Sequence, residues 1–344
     1  AIRRLVKKGR TAFMETKRLY WAPGVHWAIC EDGKLRIAQY YFSESYVILF
    51  PEFYFWTQSG IEREQLLQSY REFNPIRLKR FIAKLESLRI LIGEVQTIDE
   101  IFYGQAALMP EDPDGAQTRF QNADYVAAYR RKQLDREWIG ADNAEAVDFS
   151  SAILPRVYRE RESCRQFDTQ SFVSREHFDQ CMAVMHQMPA RTSPFRHCAY
   201  PSAGGLYPLD IYCLVKDNRV EQVPGGLYGV DAKHGRLLRQ APPSRFTVNA
   251  HFFLNKPIFE SSAFTLFMVY NSAIATPKYG DRAYFYGILD AGILAGTLTQ
   301  MAAALGLGSC CIGEMKASAA ETYLTLRPEQ KYLFCMEFGV PCQT

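Results

Sequence analysis

Between Ala291 and Gly313 no charged residue interrupts the chain. A stretch of that length is long enough to cross a bilayer by count alone, so it becomes either a membrane span or the central packing element of a folded domain. Its content favours the second. It is rich in Gly and Ala, carries Thr297, Thr299 and Gln300, and breaks at Gly306-Leu307-Gly308. Small residues let a helix pack closely, and a glycine just past the last turn stops it. We expect a buried helix followed by a tight turn, and no membrane. The remaining composition supplies a core to surround it: 48% of residues are hydrophobic and 22% charged, which excludes a disordered or fibrous chain. A length of 344 residues suggests two domains.

Charge excludes a further class. Lys plus Arg number 40 and Asp plus Glu 37, a net +3 that gives no reason to expect nucleic acid or an anionic membrane as partner. The nine cysteines show no paired CxxC spacing, and Cys310-Cys311 are adjacent, poor geometry for chelation. They read as reduced thiols of a cytoplasmic protein with no metal. Residues 1–18 hold seven basic side chains but no apolar run, so no signal peptide is expected. Arg3, Arg4, Lys7, Lys8 and Arg10 suit one face of a basic amphipathic arm, either a solvated face or a dock for an acidic partner.

Along the chain, residues 1–105 read as a small winged-helix-like α+β module. His26 to Ile29 and Leu35 to Tyr41 flank a hairpin signal at Glu31-Asp32-Gly33, and Tyr46 to Phe50 continues the strand-like pattern. Glu62 to Tyr70 and Pro75 to Leu88 read as helices. The second has Asn74 as cap, Pro75 as first residue and an apolar stripe of Ile76, Phe81, Leu85 and Leu88. A strand at Arg89 to Ile92 closes the module. Glu62, Glu64, Glu72 and Glu86 dilute the charge that DNA binding would need, so a peptide- or protein-docking role fits better. The Phe53 to Trp56 aromatics serve as core or as a peptide clamp. Residues 106–150 hold a Pro/Asp-rich linker, within 104–115, and a charged helix from Tyr125 to Trp138. Residues 151–344 then alternate helix (173–188), strands (209–215, 226–230, 264–270), helix (282–304) and strand (333–338), an α+β pattern with apolar late strands buried on both faces.

Three segments of this second half carry chemistry. Arg161-Glu162-Ser163-Cys164-Arg165 offers two guanidinium forks and a hydroxyl, which converge on one side if the segment is extended and then suit a phosphate. The same residues also suit a plain charged turn. Pro201-Ser202-Ala203-Gly204-Gly205-Leu206-Tyr207-Pro208 lets backbone approach a flat ligand. Leu305 to Gly313 forms a glycine-rich turn after the long helix. It is neither a P-loop nor a dinucleotide fingerprint, because no G-x-G-x-x-G opens a helix there. Lys278-Tyr279 precede the long helix, and an ammonium beside a phenol favours the phenolate. Arg196 and His197 lie just before the 201–208 loop, Asn249 and His251 sit in a segment that could cover a site, and His177 falls on a surface helix.

In this order and spacing the three segments, over residues 155–344, resemble the FMN-dependent nitroreductase superfamily. The P-S-A-G-G-L-Y-P form is similar to the SagB/McbC branch of azoline dehydrogenases. The resemblance implies that Arg161, Ser163 and Arg165 grip the FMN phosphate. Pro201, Ser202, Ala203, Gly204 and Gly205 would then lie against the ring, Cys311, Ile312 and Gly313 complete the flavin site, and Lys278 and Tyr279 are catalytic. It further implies oxidation of a thiazoline or oxazoline to the aromatic ring, a homodimer, and a substrate borne on a precursor peptide or a carrier protein, with a cyclase or synthetase module as a possible partner. An NAD(P)H-dependent nitro or quinone reductase and a non-catalytic flavin-fold partner protein are the alternatives. Ile293 stands where relatives often carry His.

Overall fold

The computed structural model describes residues 18–38, 40–93, 101, 122–135, 147, 149–191, 194–313 and 315–342. The basic arm up to residue 17, the 104–115 linker and Trp138 lie outside the described residues. The chain divides into two compact units between Pro110 and Glu111.

In the first unit, β1 (Arg18–Trp21) pairs antiparallel with β5 (Ile61–Glu62) and β6 (Leu91–Ile92), while β2 (Trp27–Ile29), β3 (Leu35–Ile37) and β4 (Tyr40–Phe42) form a meander. Three helices, α1 (Phe50–Gln58), α2 (Arg63–Ser69) and α3 (Pro75–Ser87), complete the winged-helix-like module. Asn74 Oδ1 accepts from the Ile76 and Arg77 amides at 3.0 and 3.1 Å, the side-chain cap that its sequence position predicts. Two local expectations are corrected. The 35–41 run is broken where Ala38 takes a positive φ of 50°. Tyr46–Phe50 is not strand: a Ser43-capped turn covers Glu44–Tyr46, and Phe50 opens α1 with Pro51 in its first turn, where no amide is needed. The buried face of α3 is Leu78, Phe81, Ile82 and Leu85, a spacing of three and four, and Ile76 is exposed.

The second unit is built on a six-stranded antiparallel sheet. Its strands are β9 (Leu209–Val215), β10 (Gly226–Asp231), β11 (Arg236–Ala241), β12 (Phe264–Asn271), β13 (Gly308–Ile312) and β14 (Gln330–Gly339), in the order β11-β10-β9-β12-β14-β13. β7 (Met188–Pro189) and β8 (Arg196–His197) pair apart from it. The helices are α4 (Ala123–Leu134), α5 (Arg156–Glu160), α6 (Arg175–Ala183), α7 (Lys256–Ser261), α8 (Ser272–Tyr279), α9 (Ala283–Ala304) and α10 (Ala317–Leu324). Every residue of β12 is buried, as a strand covered on both faces requires. Leu294, Leu298 and Ala302 of α9 pack on one face with Leu266, Met336 and Phe338. On the other face Phe246 lies against Phe259 and Phe267.

Three elements differ from expectation. α6 starts only after its Ser174 cap and stops at Ala183. The tight turn expected after the long helix is shorter, and Gly308–Ile312 is instead the edge strand β13, paired with β14. α9 buries one face only: Phe285, Ile288, Leu289 and Ile293 are exposed. By length and composition the α8–α9 run is apolar enough to cross a membrane.

Candidate functional site

The R-x-S-x-R segment takes its geometry from the edge of the sheet. α5 ends as Arg161 turns extended, at φ −66° and ψ 117°. The chain then runs parallel to β13, with a bridge between Ser163 and Ser309 and the Cys164 amide donating to the Ser309 carbonyl at 2.9 Å. Cys164 turns toward the sheet over Gly308, where an added Cβ would come within 2.7 Å of the cysteine side chain. Glycine is therefore required at 308 for this close approach. With Cys164 turned inward, period two puts Arg161, Ser163 and Arg165 together on the exposed side.

Arg161 lines a cavity of ≈ 530 Å³ together with Tyr158 of α5, Gly292, Gly296 and Thr299 of the long helix α9, and Cys311 of β13. Along β13 only Cys311 is exposed. Cys311 lines the cavity, whereas Ile312 is buried, so the Ile312 side chain does not face the cleft. Burial pushes the Cys311 thiol up, against the opposing pull of a Thr299 hydrogen bond and the Arg161 charge. Gly313 is exposed, with open space at its missing Cβ.

The 201–208 loop is anchored by a residue that the sequence reading missed. Asp290 of α9 is 2% exposed. Its carboxylate accepts from Ser202 Oγ at 2.5 Å and from the Ala203 amide at 3.0 Å, and Ser202 Oγ in turn accepts from the Tyr207 amide at 2.9 Å. A signal for it was present: Asp290 is the sole charged residue between Arg282 and Glu314, and a buried lone charge must be bonded. Pro201 is exposed at the loop's start. Gly204 and Gly205 follow at φ 60° and 66°, the left-handed region where only glycine is unstrained.

Lys278 and Tyr279 end α8, which carries Pro277 within it. Both head groups approach Gly204: a Cβ built there would clash with the Tyr279 hydroxyl and with Lys278 Nζ. Lys278 Nζ also lies 5.1 Å from the Tyr279 ring centroid, and that ring packs edge-on against Tyr286 at 4.9 Å. Adjacent residues at a helix end thus converge on the glycine loop. Two other candidates do not join them. Arg196 donates to the Gln187 and Lys233 carbonyls, and His251 is fully buried against Phe259.

Two guanidiniums and a hydroxyl on one face, a cavity floored by glycines, and a left-handed loop fit a flat cofactor with an anionic tail, as flavin mononucleotide is. Arg161 and the neighbouring exposed Ser163 and Arg165 would hold the phosphate, and Cys311, which lines the cavity with Arg161, would border the ring.

Comparison with known proteins agrees with this geometry. The model of the nitroreductase family matches residues 158–340, more than half of the chain. A Methanocaldococcus jannaschii protein named as a nitroreductase is 32% identical over 116 residues, which span 33% of this chain and 56% of that relative. The chain therefore matches little more than half of that relative's length. A solved structure of the E. coli microcin synthetase McbBCD complex, with truncated pro-MccB17 bound, superposes with a TM-score of 0.51 at 18% identity, over 63% of this chain and 82% of the other, and so shares the fold.

Proposed function

The chain belongs to the nitroreductase family of flavin-type oxidoreductases, and from that premise we propose that it is an FMN-dependent azoline oxidase, converting thiazoline or oxazoline rings to thiazole or oxazole. The observation that carries this reading is the approach of both Lys278 and Tyr279 to Gly204. Aromatising an azoline removes a proton from the carbon on the carboxyl side and a hydride from its ring neighbour. FMN, when bound, supplies the hydride acceptor, with dioxygen as terminal oxidant. Tyr279 takes the proton, with Lys278 tuning it or relaying the proton. The loop that Asp290 anchors through Ser202 and Ala203 would present its backbone to the flavin beside this pair, so that alignment would be built in before substrate arrives.

The substrate in this reading is a residue of a precursor peptide or of a carrier-bound intermediate. A fold shared with a complex described with a truncated pro-peptide bound favours the peptide. The first unit would dock the substrate or a cyclase or synthetase partner. A homodimer would cover the exposed apolar face of α9, and a cytoplasmic location would keep the cysteines as the free thiols that all nine are.

The test is intact-mass analysis of a thiazoline-bearing peptide. Wild type should remove two hydrogens. Lys278→Ala and Tyr279→Phe should keep bound flavin, by absorbance, and lose at least a hundredfold in turnover, in the range of a lost general base. Unchanged turnover defeats the assignment, and rapid bleaching of the flavin by NADPH with no azoline oxidation favours the nitro- or quinone-reductase alternative.

A further inference from the structure

The face of the sheet turned away from α9 carries a polar cluster that the flavin reading leaves without a task. Along β14 the side chains alternate. Phe334 lines the cavity and Met336 and Phe338 pack in the core under α9, so Cys335 and Glu337 belong to the opposite face. Both are 0% exposed, and so is His251, which the 248–250 turn brings over them. One ring nitrogen of His251, Cys335 Sγ and a carboxylate oxygen of Glu337 all lie within 4.8 Å of one another.

Buried polar atoms are nearly always bonded. Here both ring nitrogens of His251 and Oε1 of Glu337 are buried with no hydrogen-bond partner. The other carboxylate oxygen is held: Oε2 accepts from Ser262 Oγ and from Thr265 Oγ1, each at 2.7 Å. Lys216 bears electrostatically on both His251 and Glu337. Its ammonium donates to the Phe259 carbonyl and to Ser262 Oγ, and so reaches the carboxylate through the hydroxyl on the Oε2 side. The imidazole is fixed as well, stacked on Phe259 at 4.6 Å, with its backbone bridged to Met315. An imidazole nitrogen and a carboxylate oxygen with unused bonding capacity thus converge from rigid elements on the sulfur of Cys335, which itself hydrogen-bonds Tyr332.

We propose that His251, Cys335 and Glu337 form a structural site for a divalent transition-metal ion of the zinc class. Mixed N, S and O donors suit that ion, and water can fill a fourth position. Binding breaks the Cys335 S–H bond and forms a metal–sulfur bond. The proton goes to solvent and no electron moves, so one thiolate and one carboxylate neutralise the dication. The ion would pin the 248–255 segment to β14, on the sheet face opposite the flavin cavity, and the proposal stands independently of the azoline reading.

The experiment uses the full chain. After incubation with zinc chloride and exhaustive dialysis, elemental analysis should find about one zinc per chain, and cobalt(II) loading should produce the intense near-ultraviolet thiolate-to-cobalt band. Cys335→Ser should lose that band and most of the retained zinc while keeping its flavin absorbance. No retained zinc and no thiolate band in the wild type overturns the proposal, as does an unchanged cobalt spectrum in Cys335→Ser. If the variant does not fold, the wild-type cobalt spectrum decides alone. The outcome in which His251 merely hydrogen-bonds Glu337 gives no metal and counts against the site.

Discussion

Asp290 does more than its place in an apolar helix suggests. Two donors, a hydroxyl and an amide, end on its carboxylate. Asp290→Ala leaves both without an acceptor, and each unsatisfied buried donor costs about 1–3 kcal/mol. The expected result is a lower urea midpoint at unchanged m-value, together with reduced turnover, because the 201–208 loop loses its anchor. A midpoint equal to wild type would mean that the loop holds itself. At the phosphate end, Arg161→Ala combined with Arg165→Ala should lower the flavin-to-protein ratio of purified protein at least tenfold, the range of one or more lost charge-assisted contacts. Full occupancy in the double variant rejects the phosphate role. These residues differ in legibility. Arg161, Ser163 and Arg165 follow from simple alternation in an extended segment. The Asp290 contacts join positions 87 and 88 residues apart, and no local pattern encodes them.

Helix α9 shows how one element serves two surfaces. Ala291, Leu294, Ala295, Leu298 and Ala302 face the sheet, while Phe285, Ile288, Leu289 and Ile293 remain exposed, with Gly292 and Gly296 among them. An apolar helix face of this size on a folded unit calls for a cover. A second copy is the simplest, since small residues allow close packing. Light scattering should therefore find a dimer in wild type, and Ile288→Asp with Ile293→Asp should shift it toward monomer. Loss of flavin in parallel would show that the site draws on both subunits, and a monomeric wild type would reject the interface. Uniform hydropathy hid this division: without charged residues to mark a solvent side, periodicity could not separate core from interface. For the same reason the 308–312 strand passed for a turn, since its pairing with β14 is a long-range event and its glycines read as breakers.

Each unit has its own apolar core, one around Phe50, Phe53 and Phe81, the other around Phe264, Leu298 and Phe338. Every residue assigned here to flavin or catalysis lies in the second. A chain of residues 111–344 should therefore keep bound flavin, measured by absorbance, while losing oxidation of long peptide substrates if the first unit docks them. Absence of flavin from the shortened protein would show that the first unit contributes to the cofactor site. From the residues alone came the α+β class, the two-part organisation and the family resemblance, because periodicity, caps and short motifs are local and survive in one dimension. Tertiary structure alone decided that Lys278 and Tyr279 both approach Gly204, that Asp290 holds the loop, and that His251 lies beside Cys335 and Glu337 rather than over the flavin site. Those contacts depend on how a sheet and a helix pack, which distance along the chain does not record.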